Sequence, residues 1–302
     1  MTYLSVRGAR VWADIRGPED APVLLYLHGG PGQGAYDFMH SQGDRLSERL
    51  RLIGLDQRGV LHSDALPPGA SLSEHDLVDD FDALREELGL ARWAILGHSY
   101  GGRLALRYAS AHPETVGAVV FENPPWDMTL SARHMMRLAL PLLTDAGLTE
   151  ALAEAEKLLA DDAPLVGDRW QVRMNVLHQL GGRRMELYVK QPEILARFDD
   201  YLPSVTLDDE LQQRAVAFYE ALQATESFSE SLLPLLSRLT QPTLLIKGVA
   251  DPVTSPAEIE RFRTDVRLGQ VEMFEASGHF TQFEEPERYA RTVESFVLGV
   301  LG

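Results

Sequence analysis

The 302-residue chain contains no cysteine, which excludes disulfides, thiol nucleophiles and thiolate metal sites. Nor does it contain an apolar run approaching the ~20 residues of a membrane span. The first residues, Met1 to Gly8, lack the apolar core of a signal peptide. Positive charge is scarce: 28 basic residues stand against 45 acidic ones, a net charge of −17. That balance argues against nucleic acid or an anionic membrane surface as a partner. No internal repeat, low-complexity tract or metal-ligand spacing such as H-E-x-x-H is present. A soluble cytoplasmic protein that needs no metal or organic cofactor is the expectation; oligomeric state is left open.

What the sequence does have is an alternation of strand-length apolar runs with helical stretches. Val23–Leu27, Leu52–Leu55, Trp93–Leu96 and Ala118–Phe121 read as strands. Leu77, Phe81, Leu84 and Leu88 mark a helical face, with Ser71 or Ser73 as N-cap and Gly89 as stop. Tyr3 to Arg16 reads as a hairpin at the sheet edge. From residue 126 to 239 strand signals vanish. Helical runs, Ala132–Leu143, Glu150–Leu159, Arg169–Leu180 and Leu207–Ala224, are punctuated by Pro141, Pro164, Gly181-Gly182, Pro192 and Pro203. Strands return at Thr243–Ile246 and Val271–Phe274, followed by a final helix from Glu284 to Leu298. The pattern predicts an α/β fold with a mostly parallel central sheet flanked by helices. It divides into a core of residues 1–125 and 240–302 and an inserted helical lid, 126–239.

Chemistry concentrates in Gly97-His98-Ser99-Tyr100-Gly101, a G-x-S-x-G element between a predicted strand and helix. This is the setting of a nucleophile elbow, in which a sharp turn presents the serine hydroxyl above the strand ends. A serine needs a base, and the base an orienting acid. His279 follows the last predicted strand, and Asp251 follows the one before it. Glu122 and Asp127, after an earlier strand, compete with Asp251 for the acid's place. The chain order Ser99, Asp251, His279 fits an α/β-hydrolase. The oxyanion would be held by backbone N–H groups of Tyr100 and Gly30, with Gly29 the alternate. His28 reads as a brace for its loop and His98 as packing beside the elbow. Asp56 and Arg58 read as a structural ion-pair and turn network. Trp126, at the start of the lid, reads either as pocket lining or as core.

With these motifs in place the chain resembles the α/β-hydrolase superfamily and, within it, the proline iminopeptidases (serine peptidase family S33). His28-Gly29-Gly30-Pro31-Gly32 matches that branch's HGGPG, and Asp56-Gln57-Arg58-Gly59 its DQRG, with Ser63 following as the pattern expects. The chain departs from the branch in having Tyr100 where tryptophan is usual, Leu61 where glycine is expected, and no Trp-Trp-Glu pattern in the lid. The resemblance implies a serine peptidase acting on short peptides with a free N-terminal proline or small residue. It also implies a lid carboxylate that pairs with the amine. Glu186, Asp199, Asp200 and Glu220 are the candidates for that carboxylate. A carboxylesterase or lactonase on small esters needs the same triad and no such acid. An acidic pair in the lid facing Ser99 therefore favours the peptidase, and an all-apolar lid the esterase. A non-catalytic binding or sensory protein on the same scaffold is the rival from another class. Serine at position 99 disfavours haloalkane dehalogenase or epoxide hydrolase chemistry, which uses an aspartate there.

Overall fold

A computed structural model describes residues 1–160, 162–196 and 209–302. Its centre is an eight-stranded sheet with the order β1-β2-β4-β3-β5-β6-β7-β8. The strands are β1 (Thr2–Val6), β2 (Ala9–Arg16), β3 (Val23–Leu27), β4 (Arg51–Leu55), β5 (Trp93–His98), β6 (Val116–Glu122), β7 (Thr243–Gly248) and β8 (Gly269–Phe274). The β1–β2 hairpin pairs antiparallel with β4, and every pairing from β4 through β8 is parallel. The mostly parallel sheet expected from the alternating pattern is therefore present.

Apolar side chains on both sides of these strands explain why they read as continuous hydrophobic runs. Leu25, Leu27, Ile95, Val119 and Phe121 pack on one face with helices Glu74–Glu87 and Tyr100–Ala111. Leu24, Tyr26, Leu96 and Val120 pack on the other against Phe38, Tyr289 and Val293. Helix Glu74–Glu87 starts where the polar signal lies. The Ser73 side chain accepts from Asp76 N, and the Asp76 carboxylate accepts in return from Ser73 N. Ser73, rather than Ser71, is thus the cap.

Two expectations are corrected. The final helix runs Pro286–Leu301 and is separated from a short turn of helix, Thr281–Glu284, by a break at Glu285. Proline disfavours helical geometry in the residue before it, and Glu285 sits at φ −131°, ψ 58°. The helix expected over Ala132–Leu143 is longer at both ends, spanning Met128–Asp145 with Pro141 inside it. Pro141 and Arg137 are both exposed, so the carbonyl that loses its partner faces water, while Met135, Met136, Ala139 and Leu143 stay buried on the opposite side.

Between β6 and β7 the described residues form helices and no strand. Met128–Asp145, Thr149–Leu159, Asp168–Gln179 and Asp209–Gln223 are the longer ones. Among the described residues no helix is long and apolar enough to cross a membrane.

Candidate active site

The strand order reverses between β3 and β5, so the loops leaving their carboxyl ends diverge and open a crevice there. Ser99 stands at the end of β5 and the His28–Gly32 loop at the end of β3. Because β5, β6, β7 and β8 are parallel neighbours, the loops after β7 and β8 open on the same edge.

Ser99 adopts φ 50°, ψ −122°, outside the regions favoured by L-residues. Such an elbow tolerates nothing larger than hydrogen on its flanks. A Cβ on Gly97 would lie 2.3 Å from Gly101 O, and one on Gly101 would lie 2.0 Å from Leu27 O. The strained turn is held by Ser99 N donating to Glu122 O at 2.8 Å and Gly102 N donating to Ser99 O at 2.8 Å. The amides of Tyr100 and Gly30 have no acceptor among the described residues, and both residues line the same cavity as Ser99. Gly29 lies directly behind the serine: a Cβ there would be 3.0 Å from Ser99 Cβ. His28 braces this loop through both ring nitrogens, Nδ1 3.0 Å from Gly29 O and Nε2 accepting from Gln57 N at 3.3 Å. That pairing requires the neutral tautomer, and burial pushes the His28 pKa down.

Asp251 and His279 meet: Nδ1 lies 2.7 Å from Asp251 Oδ1, and both side chains are buried. Asp251 Oδ1 and Oδ2 also accept from the amides of Val253 and Thr254 at 3.0 and 2.9 Å. Its other neighbour is a residue that sequence reasoning passed over. Lys247, buried at the end of β7, places Nζ 2.8 Å from Asp251 Oδ2 and satisfies its remaining protons on Gly248 O and Asp251 O. Burial alone would raise the Asp251 pKa, but the Lys247 charge and the His279 hydrogen bond hold it well below the usual carboxylate range. For His279 burial wins over the attraction of Asp251 and lowers the pKa from 6.5. The imidazole is therefore neutral near pH 7, as a base must be.

Asn123 is a second residue the sequence did not single out. Its side chain accepts from Gly248 N at 3.0 Å and donates to His279 O at 2.9 Å, tying the ends of three strands together. The two loops touch because Gly248 lacks a Cβ, which would lie 1.8 Å from Gly278 O.

The competing acids are occupied elsewhere. Glu122 sits 3.2 Å from His98 Nδ1 and also receives Tyr289 OH and Thr281 Oγ1. Burial lowers the His98 pKa, but Glu122 more than offsets it, leaving the value raised. The His98 ring lies beside His279, with centroids 4.8 Å apart. Asp127 caps helix Met128–Asp145 through Leu130 N. Asp56 and Arg58 do not pair with each other. Asp56 receives Ala35 N and His62, whereas Arg58 pairs with buried Asp80 at 2.7 Å. The network thus has two arms and no mutual ion pair.

A cavity of about 300 Å³ connects Ser99 and His279 with the helical segment. Apolar side chains dominate its far wall, among them Met128, Met135, Met174, Trp170 and Phe228. Among the described residues neither aspartate nor glutamate lines it. Glu186 is on the surface, paired with Arg183 at 2.8 Å. Glu220 is exposed on a separate shallow hollow. Neither lines the cavity that Ser99 and His279 share. Asp199 and Asp200 lie outside the described residues. Trp126 is not at the cavity either. It is fully buried between Phe262, stacked at 5.6 Å, and Phe121, edge-on at 5.0 Å. Among the described residues the arginines that line the cavity are Arg173 and Arg184, neither of them marked by any motif. Among the described residues no cluster of three His, Asp or Glu side chains could hold a metal ion.

Residues 22–286 match the family model for the alpha/beta hydrolase fold. A proline iminopeptidase of Xylella fastidiosa is 42% identical over 109 residues, which are 35% of this chain and 33% of that protein. The chain thus spans about a third of the length of the first curated relatives it matches. Among solved structures, the proline iminopeptidase of Mycobacterium smegmatis superposes with a TM-score of 0.74 at 22% identity, covering 99% of this chain and 98% of the other. The enol-lactonase of Burkholderia xenovorans LB400 does so with a TM-score of 0.69 at 18% identity, over 98% and 100%. At such identities these two structures speak for the fold.

Proposed function

We propose that this chain, which belongs to the α/β-hydrolase fold family, is a hydrolase working through a Ser99 nucleophile on a small carboxylic ester or lactone. In this reading residues 126–239 act as the lid over the strand ends. His279 Nε2 takes the proton as Ser99 Oγ bonds to the carbonyl carbon, and the oxyanion is received by the N–H groups of Gly30 and Tyr100. The carbon–oxygen bond to the leaving group then breaks, and His279 returns the proton to the departing alcohol. Water, deprotonated by His279, adds to the acyl-enzyme carbonyl, and collapse frees the acid and Ser99. Asp251 stays ionised throughout, holding the imidazole in place and stabilising its transient positive charge.

The observation that carries the serine mechanism is the Asp251–His279 pair on the same cavity as a strained Ser99 and two unpaired amides. The ester reading rests on the cavity wall, which offers an N-terminal ammonium no carboxylate among the described residues and presents two guanidiniums instead. A second reading has its own support. The HGGPG and DQRG motifs and the 42% identical relative favour a proline iminopeptidase releasing an N-terminal proline or small residue from short peptides.

The test is kcat/KM for a short-chain aryl ester, an N-terminally free prolyl arylamide and its N-acetylated form, with Ser99→Ala as blank. Ester turnover well above that of either amide is expected. Preference for the free-amine amide would replace the ester reading with the peptidase. Activity retained by Ser99→Ala would place the nucleophile elsewhere.

A further inference from the structure

Arg173 lies on helix Asp168–Gln179, in the cavity wall that Ser99 and His279 also line. It is only 7% exposed. Its guanidinium stacks over Trp170, with Cζ 4.5 Å from the ring centroid. Its other neighbours are sulfurs: Nη2 is 2.9 Å from Met135 Sδ and Nη1 3.1 Å from Met174 Sδ. Nε has no partner. A thioether is a weak acceptor, and an aromatic face offsets only part of the hydration that a buried cation gives up. Burial accordingly pulls the Arg173 pKa below its ordinary value. Among the described residues no anion pairs with this cation.

Around it the cavity is set up for an anionic guest. Half-buried Arg184 adds a second positive charge to the same wall. Tyr219 OH accepts from Trp170 Nε1 at 2.8 Å, so its own proton is left to donate. The planar guanidinium fork matches a carboxylate in two parallel hydrogen bonds. One fully buried cation calls for a single compensating charge, which a carboxylate provides. In an ester the leaving alcohol departs after the first step, and in a lactone the freed alcohol stays tethered to the acyl group. In both the acyl part remains on Ser99 until water releases it, so a buried anchor suits the acyl part.

We infer that Arg173 is the receptor for a carboxylate on the acyl portion of the substrate, which makes the substrate class carboxylate-bearing esters or lactones, such as half-esters of dicarboxylic acids. This rests on the serine-hydrolase reading above.

The test compares two aryl esters of matched chain length, a mono-aryl glutarate and an aryl valerate, on wild type, Arg173→Met and Arg173→Lys. Wild type is expected to prefer the glutarate by at least about tenfold in kcat/KM, since a charge-assisted hydrogen bond at a buried site is of that size or larger. Arg173→Met should lower the glutarate/valerate ratio by about 10- to 100-fold, and Arg173→Lys should restore part of it. Equal kcat/KM for the two esters in wild type, or a ratio unchanged in Arg173→Met, would overturn the inference while leaving the hydrolase intact. Turnover of neither ester, with no labelling of Ser99 by a fluorophosphonate, would instead sink the hydrolase reading. Should Arg173→Met fail to fold, product inhibition of wild type decides. Glutarate inhibiting about tenfold or more better than valerate supports the inference, and equal inhibition refutes it.

Discussion

Arg103 and Arg173 are both buried guanidiniums, and their surroundings could hardly differ more. Arg103, on the helix that follows Ser99, is fully buried and bonded to Glu74 at 2.9 Å. Its remaining protons reach the carbonyls of Pro125, Trp126, Ser227, Phe228 and Glu230. Tyr100 OH and Arg107 share the same carboxylate. Burial would raise the Glu74 pKa, but the two arginines outweigh it and leave it lowered. Arg103 therefore clamps the points where the chain leaves the sheet after β6 and returns before β7. The Asp251–Lys247–His279 cluster is completed by the chain in the same way. Arg173 has two thioethers and an indole. Among the described residues, Arg103 and the Asp251 cluster are satisfied within the chain, whereas Arg173 at the cavity wall meets no carboxylate.

The comparison can be broken in order of expected effect. Asp251→Asn removes the acid from a completed cluster at the reacting atoms, leaving Lys247 without its counter-ion. The expected loss in kcat is about 10⁴-fold, read in single-turnover assays of ester hydrolysis. A smaller effect from Asp251→Asn than from Glu122→Gln would reassign the acid. Next, Arg103→Met should cost about 3–5 kcal/mol of folding stability, because Glu74 and several carbonyls lose their donor. Arg173→Met should cost nothing or even stabilise, since a buried charge with no anion among the described residues is replaced by an apolar chain. Urea unfolding of the two variants checks this directly, and equal losses would dissolve the distinction between them. The smallest effect is on pH dependence. His279 must be neutral to accept the Ser99 proton, and burial lowers its pKa. The acid limb of kcat/KM should therefore fall about tenfold per pH unit only below the ordinary histidine value of 6.5. A limb centred above 6.5 would mean that Asp251 outweighs burial.

Legibility of the sequence followed the range of the interactions involved. Strand cores such as Val23–Leu27 were readable because burial on both faces leaves a run of apolar residues. Their ends were not: β5 extends through Gly97 and His98, whose register is set by pairing with Phe121 and Glu122. Ser99, His279 and Asp251 could be found because each follows a strand in a loop of recognisable composition. Lys247 gave no such signal, sitting inside the apolar pattern of β7, and neither did Asn123, an ordinary residue before two prolines. Arg173 resembles any arginine on an amphipathic helix until Trp170, Met135 and Met174 are seen around it. Glu186 and Glu220 failed as pocket residues for the converse reason: composition supplies acids without saying which face of a helix they occupy.

By itself the sequence determined the alternating α/β order, the strained serine turn and the chain order Ser99, Asp251, His279. Those depend on local sterics, on glycine where a side chain cannot fit, and on apolar periodicity, all of which are written within a few residues. Tertiary structure alone decided that Asp251 rather than Glu122 meets His279, that Lys247 neutralises it, and that the cavity wall is cationic. Those outcomes come from residues far apart in the chain competing for the same buried space, where the cost of an unpaired charge depends on everything packed around it.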